Sequence, residues 1–270
     1  MSNESVYSSN AVYHYTALTN LENILREDGV KLWATRYGFL NDKREFVWAN
    51  QVIQPELEKI AKQNGEVFDP ERRVHPYILS FCDVENDPVM WRLYGNDGAG
   101  VCLTFDINEM GIHKEKMMAH MAVVYTNESN LREAIESAHR IYQQEDANVK
   151  FADDYREVAA FIKHKDYEIE QEYRVVKFVG DGFCSEYDPT KESNCEIKDL
   201  EYSEEIKFRP RGNMLIPYVE IMLPKTSLKE VHIGYNCNYE STKRAIELLS
   251  DLRGYNIRIT KSSINNFTEK

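Results

Sequence analysis

The run Val101-Cys102-Leu103-Thr104-Phe105-Asp106-Ile107 puts an apolar residue at every second position. Side chains alternate across a strand, so this period of two predicts a β-strand that turns Val101, Leu103, Phe105 and Ile107 to a core. Upstream, Met90-Trp91-Arg92-Leu93-Tyr94 reads as one or two helical turns ending at Gly95, and Tyr77 to Cys82 as a mostly apolar strand. Further back, Val12 to Thr16 reads as a short strand leading into a helix. That helix carries a capping box at Thr19 and Glu22, an apolar face of Leu18, Leu21, Ile24 and Leu25, and a stop at Gly29. Lys31 to Ala34 forms another short strand. Asn41-Asp42 then caps a second helix, with Glu45 in its first turn, Phe46, Ile53, Leu57 and Ile60 inward, and a bend near Pro55.

Downstream, Ala122 to Tyr125 reads as a strand and residues 129–165 as a charged helical insertion of two helices. Strands follow at Glu172–Val179, Glu205–Arg209, Leu215–Leu223 and Glu230–Tyr235, then a helix over Tyr239–Leu252 with Ala245, Leu248, Leu249 and Leu252 inward, and a last strand at Ile257–Ile259. Helices that cluster instead of alternating strictly with strands predict an α+β fold. Residues 1–10 read as a flexible arm, 11–270 as one domain, and 181–203, rich in Asp, Ser, Glu and Asn, as a surface loop.

With 42% hydrophobic and 29% charged residues the composition suits a soluble globular chain. The most apolar stretch, Met214–Leu223, is interrupted by Pro217 and Glu220 and is too short to span a bilayer. The polar start carries no signal peptide, so the expected location is the cytoplasm and no membrane partner is expected. A formal net charge of -12 disfavours non-specific duplex binding. It leaves room for a local basic patch from Lys207, Arg209, Arg211 and Lys225. Five scattered cysteines show no zinc spacing, and no metal is expected. Rossmann, Walker, His-Glu-x-x-His and Gly-x-Ser-x-Gly patterns are all missing.

Two constellations remain. Tyr13-His14-Tyr15-Thr16 sets an imidazole and a hydroxyl at a strand end beside a helix N-terminus, a place that favours anionic or polar ligands. The alternative is a locally packed His14 and a capping Thr16. Glu168, Glu170 and Glu172 share one face if their strand begins early, and mutual repulsion then requires a balancing cation, with Arg174 on the same face. The alternative is a solvated strand edge carrying a ladder of charge.

Taken together these motifs carry a resemblance. Tyr13-His14-Tyr15-Thr16, followed by Asn20-Leu21-x-x-Ile24-Leu25 and Gly29, resembles the opening of ADP-ribosyltransferases of the His-Tyr-Glu type. Glu170-Gln171-Glu172 is similar to their Glu/Gln-x-Glu element. Ser80-Phe81-Cys82 is similar to the Ser-x-Ser strand of the arginine-modifying branch, with Cys82 in place of the second Ser. The landmarks Tyr13-His14-Tyr15-Thr16, Phe39-Leu40-Asn41-Asp42 with Glu45, Leu79-Ser80-Phe81-Cys82, Met90-Trp91-x-x-Tyr94, Gly100-Val101-Cys102, Glu170-x-Glu172-x-Arg174 and Ile233-Gly234 also resemble, in order, an uncharacterised and largely bacterial family.

The transferase resemblance implies an ADP-ribosyltransferase-like split β-sheet core with flanking helices, and NAD as substrate. It implies Glu172 as the catalytic acid with Glu170 assisting, and His14 and Thr16 at the adenosine-side ribose. Tyr15, Ser80, Trp91, Tyr94 and Arg174 are the further cofactor-side residues, Trp91 or Tyr94 stacking on nicotinamide and Arg174 meeting either pyrophosphate or Glu172. The middle Tyr is Tyr94, Tyr37 or Tyr77. Asn41, Asp42 and Glu45 have no part in that scheme and read as a polar network or a helix cap. The implied activity is transfer to a macromolecule, a protein or single-stranded nucleic acid, by a toxin or phage-defence effector that an antitoxin restrains. Two other readings stand beside it: a binding or sensor module of the same fold, and a metal-dependent hydrolase or nuclease using His14, Asp42, Glu45, Glu170 and Glu172. The transferase reading expects His14 and Glu172 on one cleft with no third carboxylate near, which would also count against the metal reading.

Overall fold

The computed structural model describes residues 10–41, 43–65, 74–115, 117–145, 158–180 and 204–264. Among these, the strands are β1 (Ala11–Ala17), β2 (Val30–Arg36), β3 (Val74–Cys82), β4 (Gly100–Asp106), β5 (Met118–Ala122) and β6 (Val124–Thr126). They continue with β7 (Ile162–His164), β8 (Glu172–Gly180), β9 (Lys207–Arg211), β10 (Met214–Leu223), β11 (Leu228–Ile233) and β12 (Arg258–Lys261). The helices are α1 (Leu21–Ile24), α2 (Lys43–Trp48), α3 (Gln54–Gln63), α4 (Pro88–Leu93), α5 (Leu131–Glu145) and α6 (Tyr239–Arg253). The class is α+β, with one large and mostly antiparallel sheet. Its path runs β12-β11-β4-β1-β3-β2-β10-β9, with β8 on the other edge of β3 and β5 beyond β8. β6 and β7 form a separate parallel pair.

The pairing around β3 positions the site. Along one edge β3 is zipped to β8 from Val74↔Gly180 to Cys82↔Glu172. Its other edge is shared by two strands. β2 pairs only at Thr35↔Ile78 and Arg36↔Tyr77, and β1 only at Tyr13↔Cys82. Leu79, Ser80 and Phe81 lie between those two contacts, and there the sheet splits. A backbone carbonyl left without a ladder partner needs another donor. At the split, His14 supplies it, with Nδ1 3.0 Å from the Ser80 oxygen.

Apolar burial holds the two halves. Val101, Leu103 and Phe105 of β4 are fully buried with Leu32, Val219 and Ile221 of the β2–β10 pair. On the other side Ile53, Leu57 and Ile60 pack with Ile135, Val176 and Phe178. Each such side chain contributes about 1.5–3 kcal/mol.

Several expectations are corrected. Thr19 and Glu22 form no capping box: a 3₁₀ turn at Leu18–Asn20 leads into α1, whose N-cap Asn20 makes no capping bond. Asn20 instead donates to the Thr16 hydroxyl at 2.9 Å. The bend between α2 and α3 is a π-helical turn over Ala49–Ile53, and Pro55 sits harmlessly in the first turn of α3. The strand expected at 122–125 is broken at Val123, so that β5 joins the large sheet and β6 the small one. Residues 129–165 hold one described helix, α5, and then a strand, β7, where a second helix was expected; 146–157 lie outside the described residues, as do Asp42, the arm up to residue 9 and the loop at 181–203. In α6 the inward residues are Ile246, Leu249 and Ser250, while Leu248 and Leu252 are 61% and 71% exposed. Glu168 is exposed in a 3₁₀ turn and shares no strand face with Glu172, because β8 begins only after a left-handed Gln171 (φ 39°).

Candidate functional site

The sheet split opens into a cavity of about 350 Å³, within the range of small-molecule sites. β1 contributes His14, Tyr15 and Thr16 to its lining, β3 contributes Ser80, and the start of β8 contributes Glu172 and Arg174. Glu170 and Tyr94 border it as well.

His14 is fixed by two contacts. Its ring meets Phe81 edge to face at 5.7 Å, and Nδ1 faces the Ser80 carbonyl. A carbonyl only accepts, so Nδ1 carries the proton and Nε2 is left as an acceptor. Burial lowers the pKa below the ordinary 6.5, against the pull of the Ser80 oxygen, which keeps the ring neutral. Thr16 is tied to Asn20. The Tyr15 hydroxyl donates to the Val84 carbonyl at 3.1 Å and accepts from the Asp87 N–H at 3.1 Å. Tyr15 therefore acts as a brace between β1 and the loop before α4.

Beneath Ser80 lies a buried ionic cluster. Arg174 is fully buried and grips Glu172 with both arms of its fork, Nε to Oε1 at 2.8 Å and Nη2 to Oε2 at 2.9 Å. The same Nη2 reaches Glu45 at 2.5 Å, and Nη1 donates to the Ala160 carbonyl at 2.6 Å. Lys163 of β7 completes the group, with Nζ 2.9 Å from Glu170, 3.0 Å from Glu172 and 3.4 Å from Glu45. Three carboxylates thus face two cations. Burial by itself would raise the Glu172 carboxyl, but Arg174 and Lys163 outweigh it and hold the group well below its ordinary 4.5, helped by the Ser80 hydroxyl. Burial likewise opposes charge on Lys163, and Glu172, Glu45 and Glu170 more than restore it. Two guanidinium bonds and one ammonium bond fill three of the four acceptor sites of Glu172.

Glu170 is the more open acid: its side chain is 17% exposed against 6% for Glu172. Its position comes from the left-handed Gln171, which turns the chain so that Glu170 and Glu172 meet the same ammonium. Tyr94 stands next to it. Burial, then the Glu170 carboxylate to which its hydroxyl bonds, push the Tyr94 pKa up.

Of the residues singled out from sequence, His14, Tyr15, Thr16, Ser80, Tyr94, Glu170, Glu172 and Arg174 line this one cavity. Trp91 lies outside that lining. It is fully buried, meets Tyr15 edge to face at 5.1 Å and donates from Nε1 to Asn86 at 2.9 Å. Tyr37 and Tyr77 are outside the lining too, which leaves Tyr94 as the tyrosine of the three at the cavity. Glu45 is a buried member of the cluster, which is the polar-network reading of the two offered for it. Arg174 is committed to Glu172 and Glu45, the second of its two expected partners. His14 and Glu172 share a cleft as the transferase reading expects, but Glu45 lies close by as a third carboxylate, which it does not. Lys163 and Arg174 already occupy the space among these acids. No group of His, Cys, Asp and Glu among the described residues is arranged to hold a metal ion.

Sequence reasoning missed Lys163, hidden in a stretch read as helical, and underused Arg209 and Arg211, which line the cavity with Trp33 and Thr35. Lys207 and Lys225, grouped with those arginines by sequence, are engaged elsewhere: Lys207 with Glu220 and Glu205, Lys225 with the Arg253 carbonyl.

Residues 90–175 are similar to a family described as protein of unknown function (DUF2971). That segment runs from α4 through β4, β5 and β7 to Glu172, Arg174 and Val175, so it takes in most of the ionic cluster and leaves out His14, Glu45 and Ser80. No curated protein and no solved structure matches the chain. Among the described residues no helix is long and apolar enough to cross a membrane.

Proposed function

We propose that the cavity binds NAD and that the chain transfers ADP-ribose to a macromolecular acceptor, a protein or single-stranded nucleic acid. One observation carries the reading. His14 and Glu172 border the same cavity beside Ser80, whose carbonyl accepts from His14. Cleavage of the nicotinamide–ribose bond builds positive charge on the sugar, and a fixed, ionised carboxylate stabilises it. Arg174 and Lys163 keep Glu172 ionised, and its remaining acceptor site is there for a ribose hydroxyl. Glu170, less buried and bonded to Tyr94, presents the second carboxylate toward the leaving group and acceptor. Neutral His14 offers Nε2 to a ribose hydroxyl.

The commitment of Glu172 to Arg174 and Lys163 favours a second reading, a module that binds the same ligand without turning it over. Nicotinamide release from NAD by the purified protein separates the two. The transferase reading expects release by the wild type, a drop of about 10²-fold or more in Glu170→Gln, and NAD affinity in that variant unchanged by calorimetry. NAD binding without release establishes the binding module, and absence of NAD binding removes both readings.

A further inference from the structure

The wall of the cavity formed by β2, β10 and β9 has a chemistry of its own. Alternation on these strands puts Lys31, Trp33 and Thr35 of β2 on one face with Tyr218 and Glu220 of β10 and Lys207, Arg209 and Arg211 of β9. Glu220, the acid of this face, is already taken by two lysines, Lys31 at 3.1 Å and Lys207 at 2.9 Å. Among the described residues no carboxylate pairs with Arg209 or Arg211.

Arg209 lies over the rings of Trp33 at 5.2 Å and Tyr218 at 6.0 Å, and these rings pack on each other at 4.6 Å. Nη2 donates to the Thr35 hydroxyl at 3.0 Å, while the buried Nε–H has no acceptor. Such an orphaned donor costs about 1–3 kcal/mol, and a small swing of the side chain onto an anion in the cavity relieves it. Arg211 is anchored by the Phe39 carbonyl at 2.8 Å and the Leu40 carbonyl at 3.2 Å, with the Asn41 side chain also accepting. It adds a fixed positive charge two residues along the strand. Burial and the neighbouring Arg211 together depress the Arg209 pKa, a shift that a bound anion would oppose.

We propose that Arg209 and Arg211 form a subsite for a phosphate ester at the β9 end of the cavity. Two guanidinium groups one strand repeat apart, about 7 Å along the chain, suit an anion with three or more acceptor oxygens. A carboxylate has only two oxygens and is satisfied by one fork. Along the sheet the subsite is separated from Glu172 by β3, β2 and β10, so it binds a part of the ligand remote from the reacting bond. This inference rests on the cavity being a ligand site as proposed above, but not on NAD turnover. The phosphate belongs either to a dinucleotide or to an oligonucleotide acceptor.

The test is titration of wild type, Arg209→Met and Arg211→Gln with ADP, adenosine, NAD and a 5′-phosphorylated single-stranded oligothymidylate. Thermal melting checks that each variant folds, and Arg211→Gln serves if Arg209→Met does not. The wild type is expected to bind ADP at least about tenfold more tightly than adenosine, and the variants to lose that difference with adenosine affinity unchanged. Loss of NAD binding alone assigns the phosphate to the dinucleotide, and loss of oligothymidylate binding alone to the acceptor. Equal wild-type affinity for ADP and adenosine, binding of none of the four probes, or folded variants that bind ADP as the wild type does, overturns the subsite. Nicotinamide release is scored separately, so ADP binding without release removes the transfer chemistry and leaves the subsite standing.

Discussion

Arg174 spends its whole fork inside the protein, on Glu172, Glu45 and the Ala160 carbonyl. Such a group is worth most when intact, because removing one member strands the others. Arg174→Met leaves three carboxylates facing a single ammonium. The expected loss is about 3–5 kcal/mol, measured as a shift of the urea midpoint at unchanged slope. The pH dependence has a definite sign. Glu172 titrates lower in the folded chain than in the unfolded one, so its contribution is complete above the ordinary 4.5 and fades as pH falls toward the folded value. The wild type should therefore lose stability over that acid window. Glu172→Gln, less stable at neutral pH, should show a flatter profile there, and parallel profiles would remove Glu172 as the titrating group. At this scale the motif residues His14, Ser80, Glu170, Glu172 and Arg174 were legible, because a short pattern carried them. Lys163 was not, because its stretch read as helical; Glu45 was noted as part of a polar network or a cap, but its partner Arg174 lies 129 residues away and could not be named.

The last helix shows how an apolar count misplaces a face. Leu248 and Leu252 are one turn apart and look like core, yet α6 turns Ile246 and Ser250 inward and leaves both leucines in solvent. Leu248→Lys is expected to change stability by no more than about 0.5 kcal/mol, whereas Ile246→Ala should cost about 2–5 kcal/mol, read from parallel denaturant melts. A large loss from Leu248→Lys would place that residue in a contact outside the described chain. Among the strands, β3, β4, β8 and β10 were readable because each carries its own apolar run. β7 has three residues and no period to read. The left-handed Gln171 was equally hidden, since a non-glycine residue with positive φ is uncommon and has no reliable sequence signal.

For the whole molecule, the α+β class followed from element order, but element order does not say where the sheet splits. The split depends on β1 and β2 sharing one edge of β3, a choice made by residues more than forty positions away in sequence. One consequence concerns the small β6–β7 pair. A lone two-stranded ribbon is marginal in water, and this one is moored to the large sheet by the Lys163 contact to Glu172 and by the Tyr125 hydroxyl, which accepts from the Glu172 N–H at 2.7 Å, and to α2 by the Lys163 contact to Glu45. The ribbon and the acidic wall should therefore open as one cooperative unit, below the free energy of global unfolding. In Lys163→Met, amide hydrogen exchange at 124–126 and 162–164 is expected to accelerate while β1 and β4 keep their protection. The charges that prepare the cavity thereby set the local lifetime of its wall, and a ligand that draws on them is paid in backbone protection.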